Sequence, residues 1–199
     1  MRKFFLLMFL LAASFITTFA QDSVSKTKLG LYGSIGANYS TYESLPAYWL
    51  NIKGGLVFNK KFVVGVGAST LYFDRNLSRL VNDGTYHVEA AYSGLFLEYL
   101  FKCTNKTKIS ISWLSGVGIL QYRYDKEYRG TKEWYQEIID RDSFVANDLS
   151  AEFLFKISPK WWVGANISGR LSSPVKIKST DEFVLRRMSG GVVFKYELF

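Results

Sequence analysis

The closing stretch, residues 191–199, reads GVVFKYELF and alternates with the period of a β-strand. Carried back toward the loop before it, Val184, Met188, Gly190, Val192, Phe194, Tyr196 and Leu198 share one parity, interrupted by Arg186. Arg187, Ser189, Gly191, Lys195 and Glu197 hold the other, beside Leu185 and Val193. Successive strand side chains point to opposite faces, so one face is apolar and the other mixed and charged. Such a strand suits lipid on one side and a polar lumen on the other. Phe199 falls on the parity of Glu197, not of Tyr196, and needs a terminal bulge or turn to reach the apolar side.

At the other end, Arg2 and Lys3 precede an apolar run from Phe4 to Leu11, and Thr18-Phe19-Ala20 precede Gln21. A basic start, a short apolar stretch and small residues at the cut site describe a secretory signal peptide, with cleavage expected after Ala20. The alternative, an uncleaved helix over Phe4–Ala20, sits at the low edge of the roughly 17–25 residues needed to span. The expected organisation is a signal peptide at 1–20 and one domain at 21–199. Losing Arg2 and Lys3 lowers the net charge from +8 to +6 (8 − 2). The charges are spread among turns, loops and the inward face, so no nucleic-acid partner is expected. Cys103 is the lone cysteine and cannot form an intramolecular disulfide. A closed ladder of backbone hydrogen bonds would hold such an exported chain together instead.

From Lys26 onward the period is two almost everywhere. Segment one (28–41) sets Leu29, Leu31, Ile35, Ala37 and Tyr39 against Tyr32, Ser34 and Asn38. Segment two (47–58) sets Tyr48, Leu50, Ile52, Leu56 and Phe58 against Trp49, Asn51 and Lys53. Segment three (62–73) sets Val64, Val66, Ala68 and Tyr72 against Gly65, Gly67 and Ser69. In segment four (86–101), Tyr86, Val88, Ala90 and Tyr92 read as the apolar face and His87, Glu89 and Ser93 as the polar one. Parity is then lost in GLFLEYLF, where a bulge is expected. Segment five (109–124) carries large apolar groups on both faces. Segment six (144–157) opposes Val145, Leu149, Ala151, Phe153, Phe155 and Ile157 to Asp148, Ser150, Glu152 and Lys156. Segment seven (161–171) opposes Trp161, Val163, Ala165, Ile167 and Leu171 to Asn166, Ser168 and Arg170. The C-terminal strand makes the eighth, an even count with each segment long enough for a tilted span.

Connections alternate in length. Asn59-Lys60-Lys61, Thr104–Lys108 and Ser158-Pro159-Lys160 are short; 42–46, 74–85, 125–143 and 172–182 are read as long. Short turns belong on the periplasmic side and long loops outside. A soluble barrel or sandwich also alternates, but its outward faces carry dense Lys and Glu. Here the polar faces are rich in Gly, Ser and Asn, and aromatics cluster near strand ends at Tyr39, Tyr48, Phe58, Tyr72, Tyr86, Trp161 and Tyr196. The expected fold is all-β, an eight-stranded antiparallel up-and-down transmembrane β-barrel.

On these residues the chain after Ala20 resembles the small eight-stranded bacterial outer-membrane barrels typified by outer membrane proteins A and X. Tyr196 and Phe199 resemble the terminal signature read by the barrel assembly machinery. The resemblance implies an antiparallel meander with a plugged polar interior in the outer membrane, in contact with lipopolysaccharide, and a surface role that varies among members. Fold alone does not choose among such roles.

Two enzymes share that architecture, a lipid A deacylase and a lipid A palmitoyl transferase. The deacylase places a serine two residues beyond its histidine; after His87 that position is Glu89. A base without a positioned nucleophile does no acyl transfer, so no enzyme is expected and His87 reads as a rim residue. One Cys and one His are too few for a metal set, and no cofactor is expected. Gly65-Val66-Gly67 and Gly116-Val117-Gly118 lack the strand–turn–helix setting of a phosphate loop and read as glycines relieving a narrow barrel.

Reflecting segments six and seven about the turn at Pro159 places Asp148 opposite Arg170 and Glu152 opposite Asn166. Lys53, Glu89, Arg187 and Lys195 extend the expected lumen charge network. The longest loop, YRYDKEYRGTKEWYQEII (122–139), centres on Gly130-Thr131 and keeps Tyr124, Tyr128, Trp134 and Tyr135 among charges. It reads as a protruding hairpin whose free edge would accept a strand from an extracellular protein. The expected function is a non-enzymatic, monomeric outer-membrane protein with a filled lumen, acting through its outer loops. Alternatives are a narrow pore or small-ligand carrier, and a lipid A-modifying enzyme.

Overall fold

The computed structural model describes residues 28–42, 45–74, 85–125, 138–177 and 180–199. The signal-peptide segment lies outside the described residues. Eight antiparallel strands close into one barrel, each bonded to its chain neighbours and β1 to β8. They are β1 Leu29–Tyr42, β2 Leu45–Phe58, β3 Phe62–Asp74, β4 Thr85–Lys102, β5 Thr107–Asp125, β6 Ile138–Lys156, β7 Trp161–Ser172 and β8 Met188–Leu198.

The ring's shear can be read residue by residue. Stepping from Leu29 through Phe58, Phe62, Tyr99, Ile111, Ala151, Ile167 and Gly190 returns to β1 at Tyr39, ten residues further on. With eight strands, that stagger tilts each one about 40° from the barrel axis. It also means that a bonded row climbs toward the loop end as it passes from β1 to β8.

The alternation sorts residues as expected in most strands. Leu31, Ile35, Leu50, Ile52, Leu149, Ile167 and Val192 point outward and are exposed, while Tyr32, Trp49, Ser150, Ser168 and Lys195 are buried inside. At the turn end, Asn59 and Lys60 both have positive φ (52° and 59°) and Lys61 donates its backbone N–H to the Phe58 carbonyl at 3.0 Å, a primed turn inside the three-residue connection between Phe58 and Phe62. Gly65 stands where a Cβ would come within 2.7 Å of the Phe96 ring, and Gly118 where one would come within 2.7 Å of Phe144. At these two positions the absent side chain makes room for an aromatic plug in the lumen.

Several expectations need correction. In β4 it is Val88, Ala90 and Tyr92 that are buried inside, whereas Ala91 and Ser93 face out. Parity then runs unbroken through Phe96, Glu98 and Leu100, and the registers with β3 and β5 show no bulge there. The irregularity lies instead at Tyr122/Arg123 against β6. The physical reason is that the first half of β4 belongs to a part of the barrel whose interior is apolar, the reverse of the membrane pattern. The first connection is not long, because Tyr42 pairs with Leu45. β6 begins at Ile138, not 144, and Lys108 is a strand residue of β5. Val184 and Leu185 are not in the last strand; both are buried in a turn at 182–185 that folds over the lumen. Lys156 is exposed at the turn end, its ammonium 5.8 Å from the Trp162 ring.

Candidate functional site

The lumen is stacked in layers. Nearest the short turns, Lys108 pairs with Glu197 at 2.6 Å and lies over the Trp162 ring at 4.1 Å. Above it, the fully buried Lys195 bridges Glu98 and Glu152 and donates to Ser110 at 3.1 Å. Tyr32 donates to Glu98 at 2.7 Å, Ser110 to Glu152 at 2.8 Å, and Lys53 approaches Glu152 at 3.7 Å while donating to Ser112 at 2.8 Å. The next layer is uncharged: Ser112 and Ser150 are 2.7 Å apart, Ser168 and Ser189 2.6 Å, and Ser69 donates to Asn51 at 2.6 Å.

Asp148 and Arg170, opposite in the ladder, form the third charged layer with an N–O distance of 2.9 Å. Tyr92 donates to Asp148 at 2.8 Å, Arg170 donates to the Tyr92 hydroxyl at 3.2 Å, and the guanidinium stacks 3.6 Å from the Trp49 ring centre. Toward the loops the interior turns apolar. Tyr42, Leu71, Val88, Leu120, Tyr122 and Phe144 pack with Val175, Ile177, Val184 and Leu185 from the β7–β8 connection.

Among the described residues, every buried lumen carboxylate meets a cation: Glu98, Asp148, Glu152 and Glu197 against Lys53, Lys108, Arg170 and Lys195. The charges cancel, which is what a low-dielectric interior demands of buried ions. A cavity of about 30 Å³ lies between the Lys195 and Arg170 layers, lined by Asn38, Asn166 and neighbouring hydroxyls. That admits about one or two water molecules and no file of them. The Oδ1 atoms of Asn38 and Asn166 lack protein partners and are the natural acceptors for such water.

The candidate residues therefore divide. Lys53, Asp148, Glu152, Arg170 and Lys195 line the interior; Glu89 and Arg187 do not join them. Glu89 faces outward near the loops, 3.2 Å from Arg123 and accepting from Gln121 at 2.8 Å. Its parity follows that of β4, misread because Val88 and Ala90 look like a lipid face. Arg187 precedes β8 and donates to the Arg186 carbonyl at 3.2 Å. Sequence reasoning placed Glu197 on the polar face of the last strand but left it out of the network, and it missed Glu98, Lys108 and the aromatic partners Tyr92 and Trp162. Reflecting β4 and β5 about the 103–106 turn pairs Glu98 with Ser112, a signal as readable as the one at Pro159.

Phe199 leaves the ladder after Leu198; a Cβ on Gly30 would meet its ring, and Lys60 lies 4.9 Å above it. Tyr196 packs on Trp161 with ring centres 5.0 Å apart. The backbones of His87 and Asp74 pair at the upper rim. The side chains of His87 and Tyr124, and all of Tyr128, Trp134 and Tyr135, lie outside what is described.

β5 and β6, at 19 residues each, are the longest strands. Pairing of β6 with β7 starts only at Ala146, so among the described residues the stretch 138–144 has β5 on one side and no ladder on the other. Ser173 bonds the backbone of Val145, and Lys176 donates its backbone N–H to the Asp142 carboxylate at 2.6 Å.

No protein-family model matches the sequence, and no curated protein matches it. Solved structures do. The chain is similar to Neisserial surface protein A, with a TM-score of 0.54 and 8% identity over 87% of this chain and 99% of that one. It is similar also to Ail, the attachment invasion locus protein of Yersinia pestis, in complex with the heparin analogue sucrose octasulfate. There the TM-score is 0.51 with 10% identity over 87% of this chain and 100% of that one. The chain has the fold of the small eight-stranded outer-membrane barrels.

Proposed function

We propose that this protein is a non-enzymatic barrel of the bacterial outer membrane that acts through its loop-end surface. The observation that carries the reading is the inversion of faces: a charged, filled interior inside an exposed apolar belt. On β5 the belt runs from Ile109 to Ile119 and is closed above by Gln121 and Arg123. Ten residues tilted by about 40° rise about 25 Å, the height of the apolar band of such barrels. Dense aromatics at the turn end (Tyr99, Phe101, Phe153, Phe155, Trp161) suit one interfacial girdle, and Tyr39 and Tyr48 at the other height suit the second. Short turns then face the periplasm, and such a placement is consistent with export by a signal peptide at 1–20.

Above the belt, β4 and β5 continue with polar residues outside (Glu89, Gln121, Arg123) and apolar residues inside (Val88, Leu120, Tyr122), as in a water-soluble domain, while β6 carries Arg141 and Ser143 outside and Asp140 and Asp142 on the inner parity. This head, with the open 138–144 edge, supports contact with an extracellular protein by strand addition. Paired carboxylates and the 30 Å³ lumen cavity support a non-conducting interior. In planar bilayers the refolded protein is expected to leave the conductance at baseline; stable unitary steps would replace this reading with the narrow pore. Mass spectrometry of lipid A from expressing cells is expected to show no new species, and loss or gain of an acyl chain would indicate an enzyme.

A further inference from the structure

The outer face is not evenly covered. Across β3 and β4 the outward residues Ala68, Thr70, Ala91 and Ser93 form a block of small side chains, with Ala68 paired to Ser93 and Thr70 to Ala91. Leu50 and Ile52 rise on one side, Val117 and Ile119 on the other, each at least 37% exposed. The result is an apolar groove of about 630 Å³ on the outer face, reaching from Ile35 on β1 to Ser143 on β6. Two residues further along the same strands, about 7 Å, Ala91 gives way to Glu89, Ile119 to Gln121 and Ser143 to Arg141. Arg123 stands above Gln121; Glu89 holds one end of its guanidinium, and its Nε has no partner. Arg141 is exposed.

We propose that this groove is a specific site for a phosphorylated, multiply acylated glycolipid of the lipid A type in the loop-side leaflet. Acyl chains lie on the small-residue floor, and a phosphate is held by Arg141 and Arg123 at the polar edge. The groove spans several strands, wider than one acyl chain, which favours a many-chained lipid. On the outward face, two arginines against one glutamate leave net positive charge where a lipid phosphate would sit, while Asp140 and Asp142 hold the other parity of β6. The site rests on the membrane placement proposed above and goes beyond it, because a featureless belt would take any surrounding lipid.

The test is native mass spectrometry of the protein released from bilayer discs holding equal amounts of purified lipid A and phosphatidylglycerol. Wild type is expected to retain one lipid A. Ala91→Phe, which fills the floor, and Arg141→Gln, at an exposed position, are expected to lower retention about tenfold, the worth of one good contact. Ala151→Phe, outward on β6 and away from the groove, is the control and retains the lipid. Equal retention of both lipids, phosphatidylglycerol alone, or unchanged retention in Arg141→Gln would each overturn the site. A gel-mobility shift on boiling establishes insertion separately for each variant. Wild type that never inserts would sink the membrane reading; inserted protein without selective retention sinks only the site.

Discussion

Asp148 and Arg170 are both nearly buried and share the Tyr92 hydroxyl, and Arg170 also stacks on Trp49, so neither can lose its partner cheaply. Asp148→Arg sets two guanidinium groups opposite each other and is expected to cost about 3–5 kcal/mol in urea unfolding from lipid vesicles. Asp148→Asn, which keeps a hydrogen-bond acceptor, is expected to cost less. Adding Arg170→Asp to Asp148→Arg should restore part of the loss, and zero coupling in the cycle would contradict the pairing. Lys195 is the sharper case, because Lys195→Met leaves Glu98 and Glu152 side by side without their shared cation. The single variant is expected to fall by about 3–5 kcal/mol, and Lys195→Met with Glu98→Gln and Glu152→Gln to recover most of it. If the triple variant is no more stable than the single one, the stability at this layer comes from packing and not from charge balance.

At the scale of the element, the turn Asn59-Lys60 holds a lysine at φ 59°. Lys60→Gly removes that strain and is expected to stabilise the barrel by up to about 1 kcal/mol, less what the contact with Phe199 contributes. An unchanged or lower unfolding midpoint would show that the lysine's contacts outweigh its backbone. For the β5–β6 hairpin, amide exchange in lipid discs is expected to protect Tyr124, Tyr128, Trp134 and Gln136, and free exchange throughout 126–137 would remove the hairpin. How readable each element was followed from its chemistry. β6 and β7 were legible because Asp148, Glu152 and Arg170 alternate with large apolar groups and Pro159 fixes the reflection. β4 was not, since its upper half has an apolar inside and its lower half is apolar on both faces apart from Glu98. Parity taken from Val88 and Ala90 therefore put Glu89 inside and hid Glu98. The β7–β8 connection was illegible for a related reason: Val184 and Leu185 alternate like a strand but are buried side by side in a turn.

For the whole molecule, closure is what makes the rest possible, since eight strands in lipid leave no backbone edge within the belt. The stagger of ten residues, the belt of about 25 Å and the cancelled lumen charges agree with one placement: the turns on one side of a membrane and the extended β4–β6 head on the other. The most direct test is the electrophoretic mobility of detergent-extracted protein, run with and without boiling and paired with membrane fractionation. The account predicts extraction with the outer membrane and a clear mobility shift when boiling opens the barrel. Protein that fractionates as soluble and migrates identically before and after boiling would contradict it.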